Sequence, residues 1–181
     1  MFCFMRKNRN SENLIVRESI FSALMQLMEK EKFDNITITE ITTRAGVSRM
    51  AYYRNYEDKK EIILSYMDEL FKTYWENIYK KPQNDFQSAC LYFNYFRENK
   101  NLLFHILDSG LTQFILEKHN LYLQTIFKDL YSHITLESKK EKYVIDFLSG
   151  GLFKTLISWA ENEMEESNEY MAKIVCELME L

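Results

Sequence analysis

The run ITITEITTRAGVSRMAYYRNYEDKKEII, residues 36–63, restricts this chain more than any other stretch, because its punctuation permits two short helices around a glycine turn and little else. Thr37 and Glu40 match a T-x-x-E capping box, in which the threonine oxygen accepts from a backbone N–H while the carboxylate reaches back. A helix therefore begins at about Ile38. Ile38, Ile41 and Ala45 recur at spacings of three and four, which puts them on one buried face and directs Thr39, Thr43 and Arg44 elsewhere. Gly46 suits the left-handed conformation that ends a helix, Val47 is the apolar plug of the turn, and Ser48 is a good cap for a second helix. Tyr52 and Tyr56, four apart, give that second helix its inner edge. Met50, Ala51, Tyr53 and Arg54 fall on the opposite side, with Arg49 at the leading end.

That outward face mixes hydrogen-bond donors, methyl groups and a phenol. Such a mixture suits DNA: arginine can donate two bonds to guanine, methyl groups can meet thymine, and tyrosine, asparagine and lysine can hold phosphates. A helical hairpin with a merely solvated outer face is also common, so spacing and residue types leave both readings open. Charge is divided along the chain. Residues 1–60 carry 11 Lys and Arg against 8 Asp and Glu, whereas the whole chain is at −4. A basic end facing phosphate and an acidic remainder serving solubility fit this division, as does a plain solvated surface.

The stretch resembles the DNA-binding domain of TetR-type bacterial regulators, whose pattern runs T-hydrophobic-x-x-I-A-x-x-A-G-V-S, then three variable residues, aromatic or Leu, Tyr, two residues, aromatic, x, x, Lys. Thr37, Ile38, Ile41, Ala45, Gly46, Val47, Ser48, Tyr52, Tyr53, Tyr56 and Lys59 stand in that register. Upstream, residues 16–33 look like the family's first helix, with Ile20, Ala23, Leu24 and Leu27 inward. Thr42 departs from the usual Ala, Glu31-Lys32 replace the usual Gly before Phe33, and Met50 stands where a small residue is frequent. The resemblance implies base contacts from Thr39, Arg49, Met50 and Ala51 and phosphate contacts from Thr37, Tyr53, Asn55 and Lys59, with Ser48 and Arg54 beside them on the same helix.

Composition sets the fold class. One proline and four glycines in 181 residues leave few breaks, and strand-like alternation is scarce, so an all-α chain of about nine helices is expected. Residues 1–60 form the expected three-helix domain with the helix-turn-helix, and residues 61–181 a helical regulatory and dimerisation domain. A fourth helix spans 58–81 and a loop at 80–85 contains Pro82. Five more helices are placed at roughly 85–98, 101–109, 111–133, 137–161 and 167–180, with Asn101 and Ser167 as caps, Gly110 as a break and residues 161–169 as a plain surface connection. No run approaches the roughly twenty apolar residues that cross a bilayer, and MFCFMRKNRN has too short an apolar segment for a secretory signal, so a cytoplasmic protein without membrane contact is expected. Cys3, Cys90 and Cys176 are widely spaced, odd in number and outside any metal-ligand pattern, which points to reduced thiols. His105, His119 and His133 have no ligand spacing around them, so no metal and no cofactor are expected. Familiar catalytic motifs do not occur either, so the chain is not expected to be an enzyme.

The C-terminal run FLSGGLFKTLISWAENEMEESNEYMAKIV is similar to the closing helices of several TetR subgroups, including regulators of dihydroxyacetone-kinase operons. The family resemblance implies a homodimer that places two recognition helices on a pseudo-palindromic double-stranded operator, and a repressor released by a small apolar or aromatic effector. Tyr74, Phe93, Phe96, Phe104, His105 and Phe114 are the expected effector pocket. Leu148, Gly151, Leu152, Leu156, Trp159, Ile174 and Leu178 are the expected interface, although core packing accounts for the same residues. Gly150-Gly151 within a helix forgo about 1 kcal/mol each relative to alanine, which invites a closely approaching backbone. Two alternatives stand beside this reading: a regulator whose C-terminal domain docks another protein, and a helical protein without DNA affinity.

Overall fold

A computed structural model describes residues 2–80, 84–130 and 138–179. The proline loop, His133 and the junction between the seventh and eighth helices lie outside the described residues. The architecture is all-α: α1 (Phe2–Met28), α2 (Ile38–Ala45), α3 (Arg49–Tyr53), α4 (Lys59–Lys80), α5 (Asp85–Glu98), α6 (Lys100–Asp108), α7 (Thr112–Leu130), α8 (Ser138–Glu161) and α9 (Asn168–Met179), with a 3-10 turn at Phe33–Asn35 between α1 and α2. The chain divides into two compact units, Met1–Met67 and Asp68–Leu181, with α4 contributing to each.

The first unit is assembled on α1. Ile20, Ala23, Leu24 and Leu27 form its buried stripe, at the spacing of three and four that the sequence shows, and the same core takes in Ile41 of α2, Tyr52 of α3 and Ile62, Ile63 and Met67 of α4. α1 begins well before residue 16, since nothing among residues 2–15 breaks a helix, and it ends at Met28 instead of reaching 33. There the N–H of Lys30 turns back to the Leu27 carbonyl at 2.9 Å, and Phe33 swings into the 3-10 turn, where it is buried. Phe21 of α1 stacks on Tyr66 of α4 with ring centroids 3.6 Å apart.

The second unit pairs α5 with α9 and α7 with α8, while α6 packs against α5 and α8. Its core is aromatic: Phe93 meets Trp159 edge-on at 5.4 Å, and Tyr92 lies 4.8 Å from Phe96. α6 starts at Lys100, so Asn101 sits inside the helix and is not its cap. The preceding Asn99 closes α5 by donating its side-chain amide to the Tyr95 carbonyl at 2.9 Å, and α6 begins directly after it. Ser167 does cap α9, its hydroxyl accepting from the Tyr170 N–H at 3.1 Å.

The connection 161–169 is more than a surface turn. Glu163 and Met164 hold φ of 53° and 55°, a left-handed conformation costing about 1–2 kcal/mol per non-glycine residue. Burial of Met164 and a 2.8 Å bond from its N–H to the Trp159 carbonyl offset that cost. Arg97 of α5 secures the same segment: it stacks 4.6 Å from the Trp159 ring, donates to Asn168 Oδ1 at 2.8 Å and donates to the Glu166 carbonyl. Sequence reading misses this anchor because Arg97 and Asn168 stand 71 residues apart.

Candidate functional site

α3 is only five residues long, and local bonds hold its conformation. The Thr37–Glu40 box is fully formed, with Glu40 N donating to Thr37 Oγ1 at 3.2 Å and Thr37 N donating to Glu40 Oε2 at 2.8 Å. These bonds to the ionised form, with the Thr37 hydroxyl first, hold the Glu40 carboxyl below its usual pKa. Thr42, buried where a smaller residue was expected, satisfies its hydroxyl by donating to the Thr39 carbonyl at 3.1 Å. Gly46 adopts φ 66°, and Ser48 Oγ accepts from the Ala51 N–H at 3.1 Å, capping α3. At the far end Asn55 donates its side-chain amide to the Ala51 carbonyl at 2.8 Å.

This scaffold turns Tyr52 and Tyr56 into the core and leaves the other face outside. Met50 is 66% exposed and Tyr53 52%, Thr39, Ser48, Arg49 and Arg54 are exposed, and Ala51 and Asn55 are half-buried. Two guanidinium forks, a thioether and a phenol therefore share one ridge able to donate paired bonds to planar acceptors and to cover a methyl group.

Two of the expected phosphate ligands already have partners within the chain. Thr37 has spent both donors, since its N–H and its hydroxyl each go to Glu40 Oε2, at 2.8 and 2.6 Å. Lys59 is half-buried, and its Nζ donates to the carbonyls of Phe33, Asp34 and Ile36 at 2.6, 2.8 and 2.9 Å, which matches the three hydrogens of an ammonium.

Within the second unit an open groove of about 930 Å³ is lined by Phe104, Leu107, Leu116, Phe153 and Ile157, with Lys100, Lys154, Glu161 and Glu163 among its polar residues. A smaller cleft of about 330 Å³ lies beside Asp68, Phe71 and Tyr122. Of the expected pocket residues only Phe104 lines the groove. Tyr74, Phe93 and Phe96 are core, His105 is half-buried and Phe114 is 42% exposed, and none of these five lines either cleft, because their helix faces turn into the aromatic core or away from it.

The buried polar centre of this unit is His119. Its Nε2 lies 2.8 Å from the Tyr92 hydroxyl and its Nδ1 3.4 Å from Ser149 Oγ, among Phe71 and Phe153. Burial pushes its pKa down to about 3, so the imidazole is neutral. Lys118 and Tyr122, on either side of His119 in sequence, both donate to Asp68, from Nζ at 2.6 Å and from the hydroxyl at 2.8 Å.

Among the expected interface residues, Leu156 and Trp159 are buried in the core of their own chain, Leu148, Leu152 and Ile174 are half-buried, and Gly151 and Leu178 are exposed. Among the described residues, none outside the helix's own turns comes within 4 Å of where a Cβ on Gly150 or Gly151 would stand, so no second backbone approaches there. Tyr143 and Phe147, 71% and 79% exposed, share a face of α8 with Gly151. Sequence reading overlooked them, although their spacing of four was visible.

No curated protein matches the chain by sequence. In structure the chain is similar to the dihydroxyacetone kinase operon activator DhaS, at 17% identity over 91% of this chain and 94% of that one, TM-score 0.61. It is similar to a TetR transcriptional regulator from Rhodococcus sp. RHA1, at 16% identity over 92% and 96%, TM-score 0.59. It is also similar to Thermus thermophilus FadR, a TetR family transcriptional repressor solved in complex with lauroyl-CoA, at 20% identity over 90% and 92%, TM-score 0.55. These likenesses concern the fold. The family model described as "Transcriptional regulator C-terminal region", of TetR type, matches residues 83–181, more than half of the sequence and the part in which the motif of residues 37–59 does not lie. With that match, the capped helix-turn-helix and the all-α fold in agreement, the chain belongs to the TetR family of transcriptional regulators.

Proposed function

We propose that this regulator is a cytoplasmic homodimer that binds a pseudo-palindromic double-stranded operator and represses transcription until a small apolar or aromatic effector releases it. The observation carrying the proposal is the ridge of α3, where Arg49, Met50, Tyr53 and Arg54 face outward while Tyr52 is wholly buried. In this reading residues 1–60 recognise DNA and residues 61–181 regulate and dimerise. Thr39, Arg49, Met50 and Ala51 read bases, and Tyr53, Arg54 and Asn55 meet phosphates. The apolar floor of the large groove suits the proposed effector, as does the acyl ligand named for the Thermus thermophilus repressor. The dimer face comprises Tyr143, Phe147, Leu148, Gly151 and Leu152 of α8 with Ile174 and Leu178 of α9. Catalysis has no part in this reading.

Selection of bound fragments from a random DNA pool tests it. A two-fold site is expected, bound more weakly as salt rises because phosphate contacts release counterions. Arg49→Ala should relax preference at one base position by about 1–3 kcal/mol. Absence of an enriched sequence, or a monomer in sedimentation, sinks the proposal.

A second reading, control by a protein docking on the C-terminal domain, is favoured by the openness of the groove and by Leu121, 63% exposed on α7. Release of operator by small apolar compounds in purified components decides against it.

A further inference from the structure

Lys59 stands at the head of α4, yet its ammonium is used entirely within the protein. The three carbonyls it reaches, on Phe33, Asp34 and Ile36, belong to the 3-10 turn and its closing residue, 23–26 residues upstream. Its Nζ also lies 4.7 Å from the centroid of the Phe33 ring, whose side chain is buried. The next residue, Thr37, caps α2. One cation thus ties the start of α4 to the segment that delivers the chain into the helix-turn-helix. Turning the ammonium outward to a phosphate would break charge-assisted bonds and strand partly buried carbonyl oxygens.

Building on the DNA-binding reading above, we propose that Lys59 is a positioning residue: it clamps the turn between α1 and α2 onto the head of α4, and so sets how α2 and α3 are presented, without touching DNA. Its contribution to operator affinity is therefore structural. Arginine does not replace it, because a planar guanidinium cannot converge on three carbonyls as a compact ammonium does.

The test uses the full chain and its selected operator, comparing wild type with Lys59→Met and Lys59→Arg over a series of salt concentrations. Both variants should lose affinity by one common factor, about ten-fold, at every concentration, leaving the salt slope unchanged, and both should melt about 4–8 °C earlier. A phosphate ligand behaves differently: Lys59→Met, which removes one contact from each protomer of the dimer, lowers the slope by about 1.8, Lys59→Arg restores it, and the melting temperature stays put. That pattern overturns the proposal. In wild-type protein with 15N-labelled lysine, the Lys59 ammonium protons should resist exchange, with and without DNA, and show no coupling to DNA phosphorus. Rapid exchange or a 15N–31P coupling likewise overturns it, and this arm stands even if a variant fails to fold. Should wild type select no DNA, the binding reading falls, while melting and ammonium exchange still decide whether the clamp exists.

Discussion

The α3 ridge and the interior of the second unit satisfy their polar groups in opposite ways. Around the ridge, partners stand three or four residues apart: Thr37 with Glu40, Ser48 with Ala51, Asn55 with Ala51, Asp58 with Glu61. In the second they come from far along the chain, at separations of 27 for Tyr92 and His119, 50 for Lys118 and Asp68, and 71 for Arg97 and Asn168. Local bonds form with the helix itself and hold a surface in shape without a deep core. Distant bonds exist only after collapse, so they both report and enforce tertiary packing. The exposed ridge is built on the first kind, and the interior of the second unit on the second.

The contrast predicts unequal costs of substitution. Trp159→Ala removes the indole that Phe93 and Arg97 contact, and should cost about 3–5 kcal/mol in denaturant unfolding. A loss near 1 kcal/mol would mean that the second unit does not depend on this junction.

His119 follows. Its folded pKa of about 3 lies below the ordinary value of 6.5, so the unfolded chain binds the extra proton first as pH falls. The stability it contributes is present above about pH 6.5 and declines by about 1.4 kcal/mol per unit of pH below that, down to the folded value. His119→Gln should flatten that dependence between pH 7 and 5, and an unchanged pH profile would show that the imidazole is not buried neutral.

A pair of phenols sharpens the comparison. The Tyr92 hydroxyl is bonded to His119, whereas the Tyr52 hydroxyl is buried without a partner among the described residues. Tyr92→Phe should destabilise by about 1–2 kcal/mol and Tyr52→Phe should be neutral or stabilising, and equal losses from both would remove the distinction. Ser48→Ala, which deletes one local cap, should cost about 1 kcal/mol, with operator affinity falling alongside.

Legibility followed the same division. The box at Thr37, the turn at Gly46, the cap at Ser48 and the burial of Tyr52 could all be read because each depends on neighbours within one helical turn. Lys59 could not, since its partners stand 23–26 residues upstream, and its place at a helix start resembled that of a phosphate ligand. The residues of the expected pocket part company for a related reason. Tyr74, Phe93 and Phe104 have the same aromatic character in sequence, and only packing separates the two that fill the core from the one that lines the groove. Leu156 and Trp159 were indistinguishable from surface positions of α8 until the packing partners of each face were known.

By itself the sequence determined most of the helices, the caps at Thr37, Ser48 and Ser167 and the outward ridge of α3, because periodicity, glycine conformation and side-chain capping act over three or four residues. Only the tertiary structure decided where Lys59 spends its charge, which aromatics are core and which α8 residues face out. Those depend on contacts between residues tens of positions apart, and no local pattern encodes them.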